Sequence, residues 1–234
     1  MALQSSPYLQ SCVREVGSFE ELHDAEFASA VNAFYWQRVL KGDFSEVAAR
    51  LEVETGITPL SAELLRGLTL SAAGRQAVEE MLHDVECLEA HGLQPSLECV
   101  YGYECQDSGH LRTDVCSWHV DSATGEVDTW LCTYYGEPTE GLVNTQAVRH
   151  VDVPETRARL LRAYGGKDGR DFQDWLAEHC FDLHYTPSLG AEPYSFGVGN
   201  LWRVATKHDG CAVLPCIHRA PIPVPGGKRL LLIC

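Results

Sequence analysis

Apolar positions recur at helical spacing through the first ninety or so residues and at strand spacing through much of the rest. Over Ser18–Val39, Phe19, Leu22, Phe27, Val31, Phe34 and Tyr35 keep mostly three- to four-residue intervals, with acidic residues in the first turn, which predicts a helix. A short helix is expected over Phe44–Leu51, before the break at Thr58-Pro59. The clearest helix spans Ser71–His91. Val78, Met81, Leu82, Val85 and Leu88 form its stripe, Ser71 is placed to cap it, and Gly92 lies just past its end. These helices read as a packing layer without chemistry of their own.

After Gly92 the pattern turns to β. Leu97–Cys105, Val115–Val120 and Val127–Tyr135 are predicted strands separated by Gly, Asp and Ser. Helical stretches near Glu155–Tyr164 and Asp171–Cys180 interrupt the pattern, which resumes at Ser195–Ala205, Cys211–Ile217 and Arg229–Cys234. A loop with Pro221, Pro223, Pro225, Gly226 and Gly227 precedes the last strand. Short strands without a βαβ rhythm point to an α+β fold: an antiparallel barrel or two-sheet roll with helices outside. The expectation is one domain over residues 1–234, with a helical layer at 1–92 and a β core at 93–234 carrying a helical insertion near 154–181.

Composition narrows the function classes. Lys and Arg number 18 against 33 Asp and Glu, a net charge of −15 that disfavours nucleic acid and anionic lipid as partners. No apolar run approaches membrane-spanning length, and the opening Met-Ala-Leu-Gln-Ser-Ser lacks the regions of a signal peptide, so a cytoplasmic location is expected. Ten cysteines are many for such a chain, but no two have zinc-ribbon or thioredoxin spacing, and most read as small apolar core groups. Oligomeric state is not legible.

Trp118-His119-Val120-Asp121 is the sharpest local feature. In an extended segment His119 and Asp121 share a face, so an imidazole and a carboxylate can take adjacent positions on one metal ion. His218, ninety-nine residues after His119, is the candidate third ligand. The set would be a facial triad, which leaves positions open on non-haem Fe(II). Arg229 lies eleven residues past His218 at the start of the last strand, where its planar fork suits a carboxylate. Arg219 alternates to the opposite face. His184, His208 and Glu126 are alternative metal ligands, and Cys211, Cys216 and His218 with Cys105 or Cys116 would be a zinc alternative. Trp118, Trp130 and Trp202 read as core or pocket lining.

His-x-Asp, a distal His and an Arg about ten residues later resemble the Fe(II)/2-oxoglutarate-dependent dioxygenases. The resemblance covers roughly Leu97–Cys234. The chain is also similar to an uncharacterised family of unknown function in Val31-Asn32, Trp36-Gln37-Arg38, His119-Val120-Asp121, Cys132-Thr133-Tyr134, His218-Arg219-Ala220-Pro221 and Arg229-Leu230-Leu231-Leu232. The dioxygenase resemblance implies a double-stranded β-helix, the jelly-roll or cupin-like barrel. It implies that His119, Asp121 and His218 hold Fe(II), and that Arg229 pairs with the distal carboxylate of the cosubstrate 2-oxoglutarate. A hydroxyl of Tyr101, Tyr103, Thr133 or Tyr135 would assist Arg229. O₂ is the oxidant, and the substrate expected is a small, anionic or amino-acid-like molecule. Asp121 disfavours halogenation. The competing expectations are a cupin-type metalloenzyme without 2-oxoglutarate and a thiol-rich zinc-binding or metal-homeostasis protein.

Overall fold

A computed structural model of the chain describes residues 7–102 and 109–234. The fold is α+β. Its largest element is a seven-stranded, mostly antiparallel sheet built from β1 (Val13–Val16), β2 (Ala33–Trp36), β3 (Gly56–Pro59), β4 (Ser96–Tyr101), β5 (Thr129–Tyr135), β10 (Leu201–Val204) and β12 (Arg229–Ile233), in the order β1-β2-β10-β5-β12-β4-β3. Only the β1–β2 pair is parallel among these. A smaller sheet has the order β11 (Ile217–Arg219), β6 (Glu140–Leu142), β9 (Tyr194–Ser195), and β7 (Ala147–Arg149) pairs with β8 (Tyr185–Pro187).

Alternation on β5 and β12 sorts the core. Trp130, Cys132, Tyr134, Leu230 and Leu232 face the helices and pack with Val78, Met81, Leu82 and Leu88 of α5 (Ala72–Ala90) and Val47 of α3 (Phe44–Arg50). Leu131 and Leu231 face the other way, into a second cluster with Tyr194, Phe196, Trp202, Val204 and Cys216. The two helices form where their patterns place them. The Ser71 hydroxyl accepts from Gly74 N–H at 3.1 Å to cap α5, and Gly92 follows with a φ of 79°.

The first ninety residues differ from the expected helical layer. Ser18–Val39 is not one helix: α2 (Phe19–Asp24) ends after six residues and Ala33–Trp36 is a strand. Ala33 and Tyr35 pack in the second cluster while Phe34 packs in the helix-side cluster, so both faces of β2 are buried. A strand buried on both faces is apolar throughout and loses the alternation that marks it. Arg203 of β10 ties α2 to the sheet. Its Nη1 donates to the carbonyls of Leu22, His23 and Ala25, and its Nε to Asp128 at 2.8 Å.

In the second half, α6 (Pro154–Tyr164) and α7 (Arg170–Glu178) pack Leu160, Phe172 and Leu176 with Leu111, Val151 and Phe181, close to the expected helical insertion. Two expected strands shrink. In Val115–Val120 only His119 takes part in β-bridges, and Cys211–Cys216 is irregular, so the strand near it is Ile217–Arg219. No described helix is long and apolar enough to cross a membrane.

Candidate metal centre

His119 stands in the middle of a row. Its N–H donates to His218 O at 3.0 Å and its carbonyl accepts from His218 N–H at 2.9 Å, a hydrogen-bonded antiparallel pair. On its other side Tyr185 N–H donates to Trp118 O at 2.8 Å and Val120 N–H to Leu183 O at 3.0 Å, which makes His119 and His184 a pair without mutual bonds. Directly opposed residues share a face, so the row across this layer reads His184, His119, His218, Gly141, Tyr194. The imidazole centroids lie 5.8 Å (His184–His119) and 4.7 Å (His119–His218) apart. Gly141 has to be glycine, because a Cβ there would sit 2.2 Å from the Tyr194 ring.

Asp121, two residues past His119, completes the group. Oδ1 is 3.7 Å from His119 Nε2 and Oδ2 is 3.5 Å from His218 Nε2, and one ligand atom from each residue lies within 4.8 Å of the others. Two ligands held at about 2.1 Å from one ion lie roughly 3.0–3.4 Å apart at ordinary coordination angles, so the two His–Asp121 separations exceed that spacing by only a few tenths of an ångström. Among the described residues it is the one cluster of three such groups. His184, His208, Glu126 and the described cysteines are outside it. Cys105 and Tyr103 lie outside the described residues.

The groups behind the cluster suit a metal. His119 Nδ1–H donates to Ser117 O at 2.7 Å and His218 Nδ1–H to Cys216 O at 3.2 Å, which leaves both Nε2 lone pairs toward Asp121. Thr129 Oγ1 donates to Asp121 Oδ2 at 2.6 Å. Burial, helped by His218, lowers the His119 pKa from 6.5 to about 4, so its imidazole is neutral and able to coordinate at neutral pH. Burial pushes the Asp121 carboxyl upward, but His218, the Thr129 hydrogen bond and His119 outweigh it and hold the group below its ordinary value. Asp121 keeps 32% of its side chain exposed, so the site is reachable.

Arg229 faces inward on β12, as Leu231 does, and is 6% exposed. Its Nη2 donates to Thr133 Oγ1 at 2.8 Å and Thr139 Oγ1 at 2.6 Å. Thr133 belongs to the sequence-derived set and Thr139 does not; nothing in the run Pro138-Thr139-Glu140 marks it. Tyr135 lines the same cavity of about 430 Å³ as Arg229, together with Val100 and the Pro221–Val224 loop. Tyr101 and Tyr135 both pack against the helix-side cluster. Arg219 points outward, as alternation requires, with Glu140 at 2.7 Å and its guanidinium 4.4 Å from the Trp118 ring centroid.

Cys12, Cys99, Cys116, Cys132 and Cys216 are buried, and burial raises the Cys132 and Cys216 pKa values to about 12. Such groups are apolar fillers. A second cavity, of about 780 Å³, lies near Arg38, Tyr134 and Tyr194 and is not lined by the triad. No protein family matches this chain in a family search, and no curated protein matches its sequence.

Proposed function

We propose that the protein is a non-haem Fe(II)/2-oxoglutarate-dependent oxygenase acting on a small molecule. The observation that carries this reading is a two-part site: a His119–Asp121–His218 cluster, and a buried Arg229 bonded to the Thr133 and Thr139 hydroxyls. On β6, Gly141 pairs with His218, and Thr139 lies two residues before Gly141, just ahead of the strand. At about 3.3 Å per residue the Arg229 contact is roughly 6–7 Å along the strand from His218. A five-carbon diacid spans that gap.

The strand pairing supports the double-stranded β-helix reading of the core. In chain order β4, the His119 segment, β5, β6, β9, β10, β11 and β12 divide between two layers, with neighbours β10-β5-β12-β4 in one and His119-β11-β6-β9 in the other. The outer strands β1, β2 and β3 extend the larger layer.

In this reading His119 Nε2, His218 Nε2 and an Asp121 oxygen hold the iron, and Ser117 O, Cys216 O and Thr129 fix their directions. Iron with 2-oxoglutarate supplies the O₂ activation and the oxidising power. Arg229 binds the distal carboxylate through its guanidinium. Thr133 and Thr139 accept from Arg229, which leaves their own O–H protons to donate to the same anion. Leu131, Leu231 and Phe196 in the inter-sheet cluster exclude water. The test is turnover of 2-oxoglutarate to succinate by the Fe(II)-loaded protein in air. Oxygen- and iron-dependent succinate formation that Arg229→Ala abolishes supports the reading; none with iron bound refutes it.

A further inference from the structure

The third histidine of the row has no part in the cluster above, and its hydrogen bonding is unusual. His184 is 4% exposed and stands beside His119 on the same face. Its Nδ1 lies 2.8 Å from Ser117 Oγ, and that hydroxyl donates its single proton to Asp114 O at 2.6 Å. Ser117 Oγ therefore accepts from His184, which places the imidazole proton on Nδ1 and leaves Nε2 a bare lone pair. Ser117 thus sets two rings at once: its carbonyl orients His119 and its hydroxyl orients His184. All three histidines of the row carry the same tautomer. Two direct Nε2 at Asp121, and His184 Nε2 has no hydrogen-bond partner among the described residues. With its one ring proton on Nδ1, His184 can only accept at Nε2, so a ligand N–H or O–H is the group that matches it.

We infer that His184 is a substrate-orienting residue whose Nε2 accepts a hydrogen bond from an N–H or O–H group of the molecule oxidised at the neighbouring triad. The substrate class is then an alcohol, amine or amide with a donor close to the reacting carbon, and not an ether, thioether or bare hydrocarbon. The inference rests on the oxygenase reading for the fate of the bound molecule, but not for the hydrogen bond itself.

The test uses full-length protein loaded with Zn(II) and 2-oxoglutarate, with ¹⁵N-labelled histidine, and two matched probes: acetamide, which has donors, and N,N-dimethylacetamide, which has none. The free protein should show His184 protonated on Nδ1. Acetamide should move its Nε2 resonance to lower frequency and bind up to about tenfold more tightly than the dimethyl analogue, the net effect of one hydrogen bond. His184→Phe should erase that preference, and His184→Gln, of similar size and still able to accept, should retain part of it. A proton on Nε2, equal response to both probes, no response to either, or an unchanged preference in His184→Phe overturns the inference. Iron and succinate formation are not involved, so a donor preference without 2-oxoglutarate turnover would remove the oxygenase reading and leave the acceptor role standing.

Discussion

His119 and His218 are built alike. Each sits in an extended segment, each donates Nδ1–H to the carbonyl two residues earlier in its own chain, and the two exchange both backbone hydrogen bonds across the strands. That arrangement fixes both tautomers and both ring planes without help from a metal. With Asp121 held by Thr129, the cluster is pre-organised.

Its supporting groups should be measurable separately from its ligands. Asp121→Ala or His119→Ala should abolish tight Mn(II) binding, and Thr129→Val should weaken it about 10- to 100-fold, the usual effect of losing an outer-shell partner. Calorimetric titration with Mn(II) reads both. Equal affinities in Thr129→Val and the parent would remove Thr129 from the site.

The anion end is governed by Arg229. Arg229→Met should weaken 2-oxoglutarate binding to the Mn(II)-loaded protein by on the order of 100-fold or more, because the buried anion loses its charge partner. Thr133→Val and Thr139→Val should each cost about tenfold. Tyr101→Phe should change little, since Tyr101 packs on the helix side. Equilibrium titrations of the four variants rank them.

Acid should destabilise the metal-free protein. Burial, with a neighbouring imidazole, depresses His119 and His184 to about 4 from 6.5. Between those values the unfolded chain binds more protons than the folded one, so stability rises with pH through this window. It is fully present above about 6.5 and lost as pH falls toward about 4. Asp121, depressed below 3.8, adds a loss only at lower pH. Urea midpoints at pH 7 and pH 5 should differ by about 2–4 kcal/mol in stability.

Away from the site, Asp84 of α5 joins helix and sheet. It takes both Arg38 Nη groups, and the Tyr134 hydroxyl donates to it at 2.6 Å. Arg38 Nε also donates to Gly199 O at 2.9 Å. Asp84→Ala strands a buried guanidinium and should cost about 3–5 kcal/mol, whereas Tyr134→Phe should cost about 1–2 kcal/mol. Thermal unfolding of the two variants checks the order.

Much of this was legible in the residues. Ser71 and Gly92 bounded α5, the Pro/Gly loop preceded β12, and alternation separated Arg229 from Arg219. His119, Asp121 and His218 come together as the His-x-Asp spacing and a distal histidine suggested. What escaped the pattern has physical causes. Strand β2 is buried on both faces and so carries no alternation, and its aromatic residues fall by coincidence at helical intervals. The His119 strand is held by single bridges to its neighbours, too short to show a period. Thr139, Thr129 and Ser117 act through one hydroxyl or carbonyl each, and a lone threonine or serine in a strand or turn has no spacing to distinguish it. His184 was visible only as an alternative ligand, because its row position depends on pairing between segments sixty-five residues apart.

The most direct measurement is the visible spectrum of the protein mixed anaerobically with Fe(II) and 2-oxoglutarate. Chelation of 2-oxoglutarate by iron held in a facial triad predicts a weak metal-to-ligand charge-transfer band, absent in His119→Ala, His218→Ala and Asp121→Ala and recovered at higher 2-oxoglutarate in Arg229→Met. A band that survives His119→Ala, or no band from protein shown to bind iron, would contradict the account.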